Sequence, residues 1–184
     1  NMATIKNLII NYKRNTFVPT GTSDLLVESI KRKLKIKGDV LDLGAGSGYV
    51  GIKLLSLFKD KFNLFASDIG RTATQIIKSN AKINKKDIIV RTGSLFKPWK
   101  NYKFDFILND VSGISEDVAK ISPWFKDVSC KSGKDGTKLT IQIIKESKNF
   151  LSKKGVICFP ILSFANENKV LENVKKNFKY VKKI

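Results

Sequence analysis

The stretch DLGAGSGYVG (residues 42–51) sets Asp42, Gly44, Gly46 and Gly48 at alternate positions behind an apolar run. Glycine lets a chain leave a strand through a sharp turn, and lets a ligand lie against the backbone with no Cβ in the way. Asp68 closes a second apolar run, NLFASD, where its two oxygens suit a pair of hydroxyl donors. Asn109 and Asp110 close a third, FDFILND. The Asn109 amide oxygen is a hydrogen-bond acceptor, and Asp110 can accept a second N–H bond or draw off a proton.

Other chemistries are removed by what the chain lacks. It contains no histidine. Ser-His-Asp triads, Cys-His pairs and His-ligated metals are therefore excluded. Cys130 and Cys158 lie far apart, too few for a zinc cluster, and fit a reducing, cytoplasmic setting. No metal site is expected. Lys6, Lys13 and Arg14 interrupt the early apolar residues, so no signal peptide is read, and no apolar run reaches membrane-span length. Asn1 ahead of Met2 reads as an added residue and carries no argument.

The candidate residues need a frame. Apolar runs at 39–44, 63–68, 87–93, 104–110 and 155–162 read as strands, and 180–184 as the start of a sixth. Helical spacing covers 49–58, 71–84, 138–151 and 166–177. Alternating strands and helices predict an α/β domain with a mostly parallel sheet and helices on both faces. The 184 residues suit a single domain over 1–184, with 1–16 as a short N-terminal extension. Right-handed crossovers bring the C-terminal strand ends to one edge, and every candidate residue falls at such an end.

The spacing D-x-G-x-G-x-G resembles the first motif of class I methyltransferases that use S-adenosylmethionine (SAM). A nicotinamide fingerprint, G-x-G-x-x-G, would put its third glycine at Tyr49. The resemblance implies a three-layer Rossmann-like sheet and SAM as cofactor. Asp42, Gly44, Ala45, Gly46 and Gly48 would cradle it, and Asp68 with Ile69 would hold the ribose. The stretch TGSLFKPW (92–99) is similar to the G-D-L-F-x-P segment of glutamine and RNA N-methyltransferases, whose acid contacts the adenine amino group. Ser94 stands in that place, with Leu95 and Phe96 walling the adenine. FVPTGTSDLLVESI (17–30) resembles the segment before the SAM loop in the HemK-like branch, which methylates the glutamine of peptide release factors. Phe17, Pro19, Ser23, Leu25, Leu26, Val27 and Glu28 fit, and Thr20 replaces the usual arginine. SGKDGTKLTIQII (132–144) is similar to that branch's G-G-x-D-G-L stretch. Lys134 and Asp135 there also read as a cap for the helix starting near Thr137.

Three departures from the family stand out. The N-terminal helical domain of release-factor methyltransferases has no counterpart before Phe17. The sequence stops before the usual seventh, antiparallel strand, so the sheet is expected to lack its last strand. The N-P-P-Y signature is replaced by Asn109-Asp110-Val111-Ser112. In N-P-P-Y enzymes the asparagine side chain and the next carbonyl accept hydrogen bonds from a target –NH₂, the prolines stiffen that carbonyl, and the aromatic stacks on the target. Asn109 and Asp110 keep the acceptors as expected catalytic residues, and Asn109 also touches the cofactor. Val111 and Ser112 lose the stiffness and the platform, and Ser112 with Gly113 also reads as an ordinary turn. Trp124 or Phe125 in SPWF (122–125) either supplies a substitute platform or anchors a long loop.

Net charge is +19, from 35 lysines and arginines against 16 acids. Such a charge suits RNA, or a ribosomal or translation-factor protein, as methyl acceptor. Only Arg14, Arg32, Arg71 and Arg91 are arginines, so the excess is lysine, as compositional bias alone would also give. The expected function is N-methylation of a planar amide or amino group, on a protein glutamine or an RNA base, in the translation machinery. The alternative is a SAM- or RNA-binding module with little catalysis.

Overall fold

The computed structural model describes residues 8–13, 18–19, 21–111, 132–162 and 165–184. Phe17, Thr20, Ser112, Gly113, Trp124, Phe125 and Cys130 lie outside the described residues. Five strands form the sheet: β1 (Gly38–Leu43), β2 (Phe62–Asp68), β3 (Ile88–Thr92), β4 (Phe104–Asn109) and β5 (Leu151–Cys158). All pair in parallel, in the order β3-β2-β1-β4-β5. Strand order reverses between β1 and β4, and a doubly wound sheet opens its ligand crevice at such a point.

Period-two alternation divides the core between the two faces of the sheet. Val40, Leu64, Phe106 and Leu108 face one layer, where Leu26, Val27 and Ile30 of α1 (Gly21–Lys33) meet Val50, Leu54 and Leu55 of α2 (Tyr49–Leu57). Leu41, Leu43, Phe65 and Ile107 face the other, against Ile143 of α4 (Lys138–Ser147). α3 (Arg71–Ile83) joins β2 to β3. α5 (Glu167–Asn177) packs Val170 and Val174 against Ile144 of α4. The three-layer expectation therefore holds.

The structure differs from the expectation in three places. α1 is an additional helix. Its buried residues Ser23, Leu26, Val27 and Ile30 follow the i, i+3, i+4, i+7 spacing of an amphipathic helix. β5 starts at Leu151, ahead of Gly155, because a register irregularity between Phe104 and Phe106 admits extra residues. Residues 180–184 form no strand. Tyr180 is almost fully exposed, and Lys183 pairs with Glu167 at 2.9 Å, so this segment brings no apolar face to the sheet. Among the described residues no helix is long and apolar enough to cross a membrane, and none of their side chains cluster as a metal site.

Candidate functional site

β1 delivers its last residues to the sheet edge and the chain then turns on three left-handed glycines. Gly44, Gly46 and Gly48 have φ of 68°, 57° and 79°. A Cβ on Gly44 would come within 2.5 Å of the Val111 methyl, and one on Gly48 within 3.2 Å of Ile52 and Ile77. Asp42 fixes the turn from below. It is buried, and its Oδ2 accepts the Gly51 N–H at 2.9 Å. Burial pushes its pKa up to about 7, helped by the carboxylates of Asp110 and Asp68.

Asp68 sits at the end of β2 beside this turn. Its Oδ2 accepts the Gly46 N–H at 3.0 Å and its Oδ1 accepts the Gly70 N–H at 2.9 Å. The acid thus locks the glycine loop to the start of α3, with the Ile69 N–H as a third backbone partner, and its two oxygens retain acceptor capacity for a hydroxyl. Burial raises its pKa, and these amides oppose the shift. Ile69 beside it is three-quarters exposed, an apolar surface open to a ligand.

After β3, Leu95 takes a left-handed conformation with φ 47° and packs partly buried at the edge of the second core layer. Ser94 is half-buried, and its carbonyl accepts the Lys97 N–H at 3.1 Å. Phe96 departs from its expected place against an adenine. It is buried and stacks on Phe150, with centroids 4.5 Å apart and planes 9° from parallel. Trp99 is buried as well, donating from Nε1 to Ser67 Oγ at 2.9 Å, with Arg91 over its ring at 4.9 Å.

β4 ends at Asn109, which is buried next to β1 in the register Leu43↔Asn109. Its Oδ1 accepts the Val111 N–H at 3.1 Å. A proline at that position would have no N–H to give. Asp110 turns towards α1, where its Oδ2 accepts Ser23 Oγ–H at 2.5 Å. Burial raises the Asp110 pKa to about 6, against the pull of the Ser23 bond. Asp42, Gly44, Ala45, Ser47 and Asp110 line one small cleft that opens to solvent, with Pro19, Ser23, Tyr49 and Val50 completing it.

The structure thus brings Asp42, the glycine turn, Asp68, Asn109 and Asp110 to one sheet edge, and Asp42, Gly44, Ala45 and Asp110 to one cleft. Gly46 and Gly48 shape the turn without lining the cleft. Ser94 and Leu95 stand at the same edge, beyond β2 at the end of β3. Sequence reasoning assigned no role to Ser23, although the family-like segment contains it. It also missed the cluster at the cleft mouth, where Tyr49 O–H and Lys53 Nζ both donate to Asp24 Oδ1, the lysine at 2.7 Å. Helical spacing three or four apart within α1 and α2 gave no signal for contacts between the helices. Asp135 does not cap α4, whose N-cap is Thr137 without a side-chain cap bond; it braces that residue, accepting the Thr137 N–H at 3.1 Å and Oγ1–H at 2.8 Å.

A parallel five-stranded sheet with a glycine turn after β1 and an acid after β2 defines a class I methyltransferase fold. Residues 18–110, half of the chain, match the family model described as the methyltransferase small domain, and the protein belongs to that family. SAM is the cofactor of this class. The chain is 29% identical over 163 residues to a release factor glutamine methyltransferase of Aquifex aeolicus, covering 83% of this chain and 57% of the relative. It is 28% identical over 172 residues to a putative protein N5-glutamine methyltransferase of Methanocaldococcus jannaschii, covering 93% and 84%. A crystal structure of ribosomal protein L11 methylase from Lactobacillus delbrueckii subsp. bulgaricus superposes with a TM-score of 0.65 at 21% identity, covering 88% and 70%, and shares the fold. The chain spans little more than half the length of the Aquifex relative.

The cleft fits a cationic nucleoside ligand on its own chemistry. The side-chain polar groups lining it are carboxylates and hydroxyls, from Asp42, Asp110, Ser23, Ser47 and Tyr49. Within the cleft Asp42 and Asp110 suit a sulfonium or ammonium charge, and Asp68, outside its lining, stands at the same sheet edge where a sugar's hydroxyls would reach it.

Proposed function

We propose that the protein is a SAM-dependent N-methyltransferase acting in the translation machinery, with a protein glutamine amide as the favoured acceptor and a cytoplasmic location to match. One observation carries this reading: the buried amide of Asn109 and the carboxylate of Asp110 stand at the end of β4, directly beside the glycine turn of β1. The names of the relatives support glutamine over an RNA amine. Bound SAM supplies an activated methyl group, so that the C–S bond breaks as the acceptor N–C bond forms and a proton leaves the nitrogen.

The chain's own residues do the aligning. Gly44, Ala45, Gly46 and Gly48 bring backbone against the donor, with Asp42 holding the turn. Asp68 and Ile69 take the ribose, and Ser94 and Leu95 border the base. Asn109 accepts an N–H of the target amide, and Asp110 accepts the second or takes the departing proton. Alignment of this kind is worth up to about 7–11 kcal/mol.

A second reading has an observation of its own. The Val111 N–H occupies one lone pair of the Asn109 oxygen, which a proline would leave free. That favours a SAM-binding module with slow transfer. Incubation with methyl-labelled SAM and, separately, a release factor, ribosomal protein and total RNA tests both. The enzyme reading expects label on a glutamine amide, abolished by Asn109→Ala even at saturating SAM. SAM binding without label in any fraction gives the module reading.

A further inference from the structure

The five chain segments that enter the strands all reach the edge opposite the cleft, because a parallel sheet collects its N-terminal strand ends on one side. These segments are KIKGD (35–39), FKDKF (58–62), NKKDI (84–88), WKNYKFD (99–105) and KNFLSKK (148–154). They carry eleven lysines against four acids, with lysine in every one. All but Lys86 are exposed, and Lys86 is the one paired with an acid by an ion pair, to Asp60 at 2.7 Å. At the cleft edge the described strand exits (44–48, 68–71, 93–97, 110–111, 132–137 and 159–162) balance, with three basic residues against three acids. The five segments are 29 of the 184 residues and carry a net +7 (11 − 4) of the chain's +19, so this edge is denser in positive charge than the rest of the chain.

We propose that this lysine edge is an RNA-binding surface that grips the phosphodiester backbone without reading sequence. Lysine is a point charge suited to phosphate, while base recognition and bidentate pairing with carboxylates favour arginine, which these segments lack. None of the large exposed apolar side chains falls within these segments; Ile83, Ile89 and Val156 lie beside them, scattered singly, so charge dominates the surface. The strands of five to eight residues put this edge roughly 20 Å from the cleft. The RNA held there is a docking element, and the acceptor enters at the other edge. The inference stands independently of the methyl acceptor, since RNA would dock whether or not transfer follows.

Fluorescence anisotropy with a labelled, mixed-sequence single-stranded RNA tests it, using the whole chain at several salt concentrations. The variant Lys61→Glu/Lys85→Glu/Lys100→Glu/Lys154→Glu removes lysines that hold no ion pair or side-chain hydrogen bond among the described residues. Lys78→Glu/Lys97→Glu/Lys134→Glu/Lys138→Glu makes the same charge change away from that edge. Four or more phosphate contacts give a log–log salt slope of about −3 or steeper. The wild type is expected to bind with that slope, the first variant to lose at least about tenfold and the second less than about threefold, with SAM binding kept in both. Equal losses in the two variants, no RNA binding by the wild type, or tighter binding to anionic vesicles or to an acidic protein than to RNA would overturn the proposal.

Discussion

Asp110 is a carboxylate in the place of a proline, and its surroundings give it a measurable signature. Burial raises its pKa to about 6, and that of its neighbour Asp42 to about 7. Both lie above the unfolded value of about 3.9, so the native state binds protons more tightly than the unfolded chain between those limits. For these two groups, stability rises as pH falls from 8 towards 4. Asp135 works the other way, since Lys169 lowers its pKa to about 2 and its contribution is lost as pH falls below 4. Asp110→Asn is therefore expected to stabilise the fold at pH 8, on the order of 1–2 kcal/mol, with the gain reduced to about a third at pH 4.5 and lost below the unfolded pKa. Thermal melts at the two pH values check this, and a gain that ignores pH would mean the carboxylate is not ionised at a cost. Val111→Pro removes the N–H that binds Asn109 Oδ1. It is expected to raise methyl transfer severalfold at unchanged SAM affinity, and turnover no better than wild type would remove Val111 as the reason for a slow site. The position of Asn109 and Asp110 was legible in the sequence, because an apolar run ending in polar residues marks a strand tip. The Val111 bond was not, because the direction of a backbone N–H is set by the turn and not by the residue type.

Helix α3 shows what a periodic reading misses. Its apolar stripe was legible, yet Asn80 is fully buried and Asn84 sits one turn on. Each asparagine grips the N-terminal segment 8–13 with both ends of its amide. Asn80 Oδ1 accepts Asn11 N–H at 2.9 Å while its Nδ2 donates to Asn11 O at 3.0 Å. Asn84 does the same for Ile9, at 3.0 Å and 2.6 Å. Asn80 Nδ2 also donates to Ser47 O at 2.9 Å, tying that segment to the glycine turn. In sequence, two asparagines four apart read as a wet helix face, since the residues that cover them come from seventy positions away. Asn80→Ala strands buried backbone groups and is expected to cost about 2–3 kcal/mol, whereas Asn84→Ala, at the exposed end, should cost under about 1 kcal/mol. Denaturant unfolding measures both, and equal costs would show that the link to Ser47 carries nothing. Amide exchange at Asn11 should quicken in the first variant. α1 escaped the sequence reading for a related reason: exposed Leu25 lies inside its apolar run and blurs the stripe formed by Leu26, Val27 and Ile30.

At the scale of the molecule, the parallel sheet and the gathering of its C-terminal strand ends on one edge followed from the alternation of elements and the handedness of crossovers, whereas the order β3-β2-β1-β4-β5 needed the structure. The placement of charge needed it too, because a count of +19 gives no direction until the sheet sorts loops to two edges. That sorting crowds lysines on one side, and their repulsion is screened by salt over about 8 Å at physiological ionic strength. Raising NaCl from 0.05 to 0.5 M is therefore expected to lift the melting temperature, and a flat response would show that the lysine edge is not under electrostatic load. The account as a whole rests on the cradle made by the glycine turn and Asp68, and calorimetric titration with SAM tests it most directly. One SAM should bind per chain, and Asp68→Ala should weaken it by more than about tenfold, since hydrogen bonds to a charged group contribute roughly 1.5–3 kcal/mol. No heat with SAM, tight binding of NADH in its place, or an unchanged affinity in Asp68→Ala would contradict it.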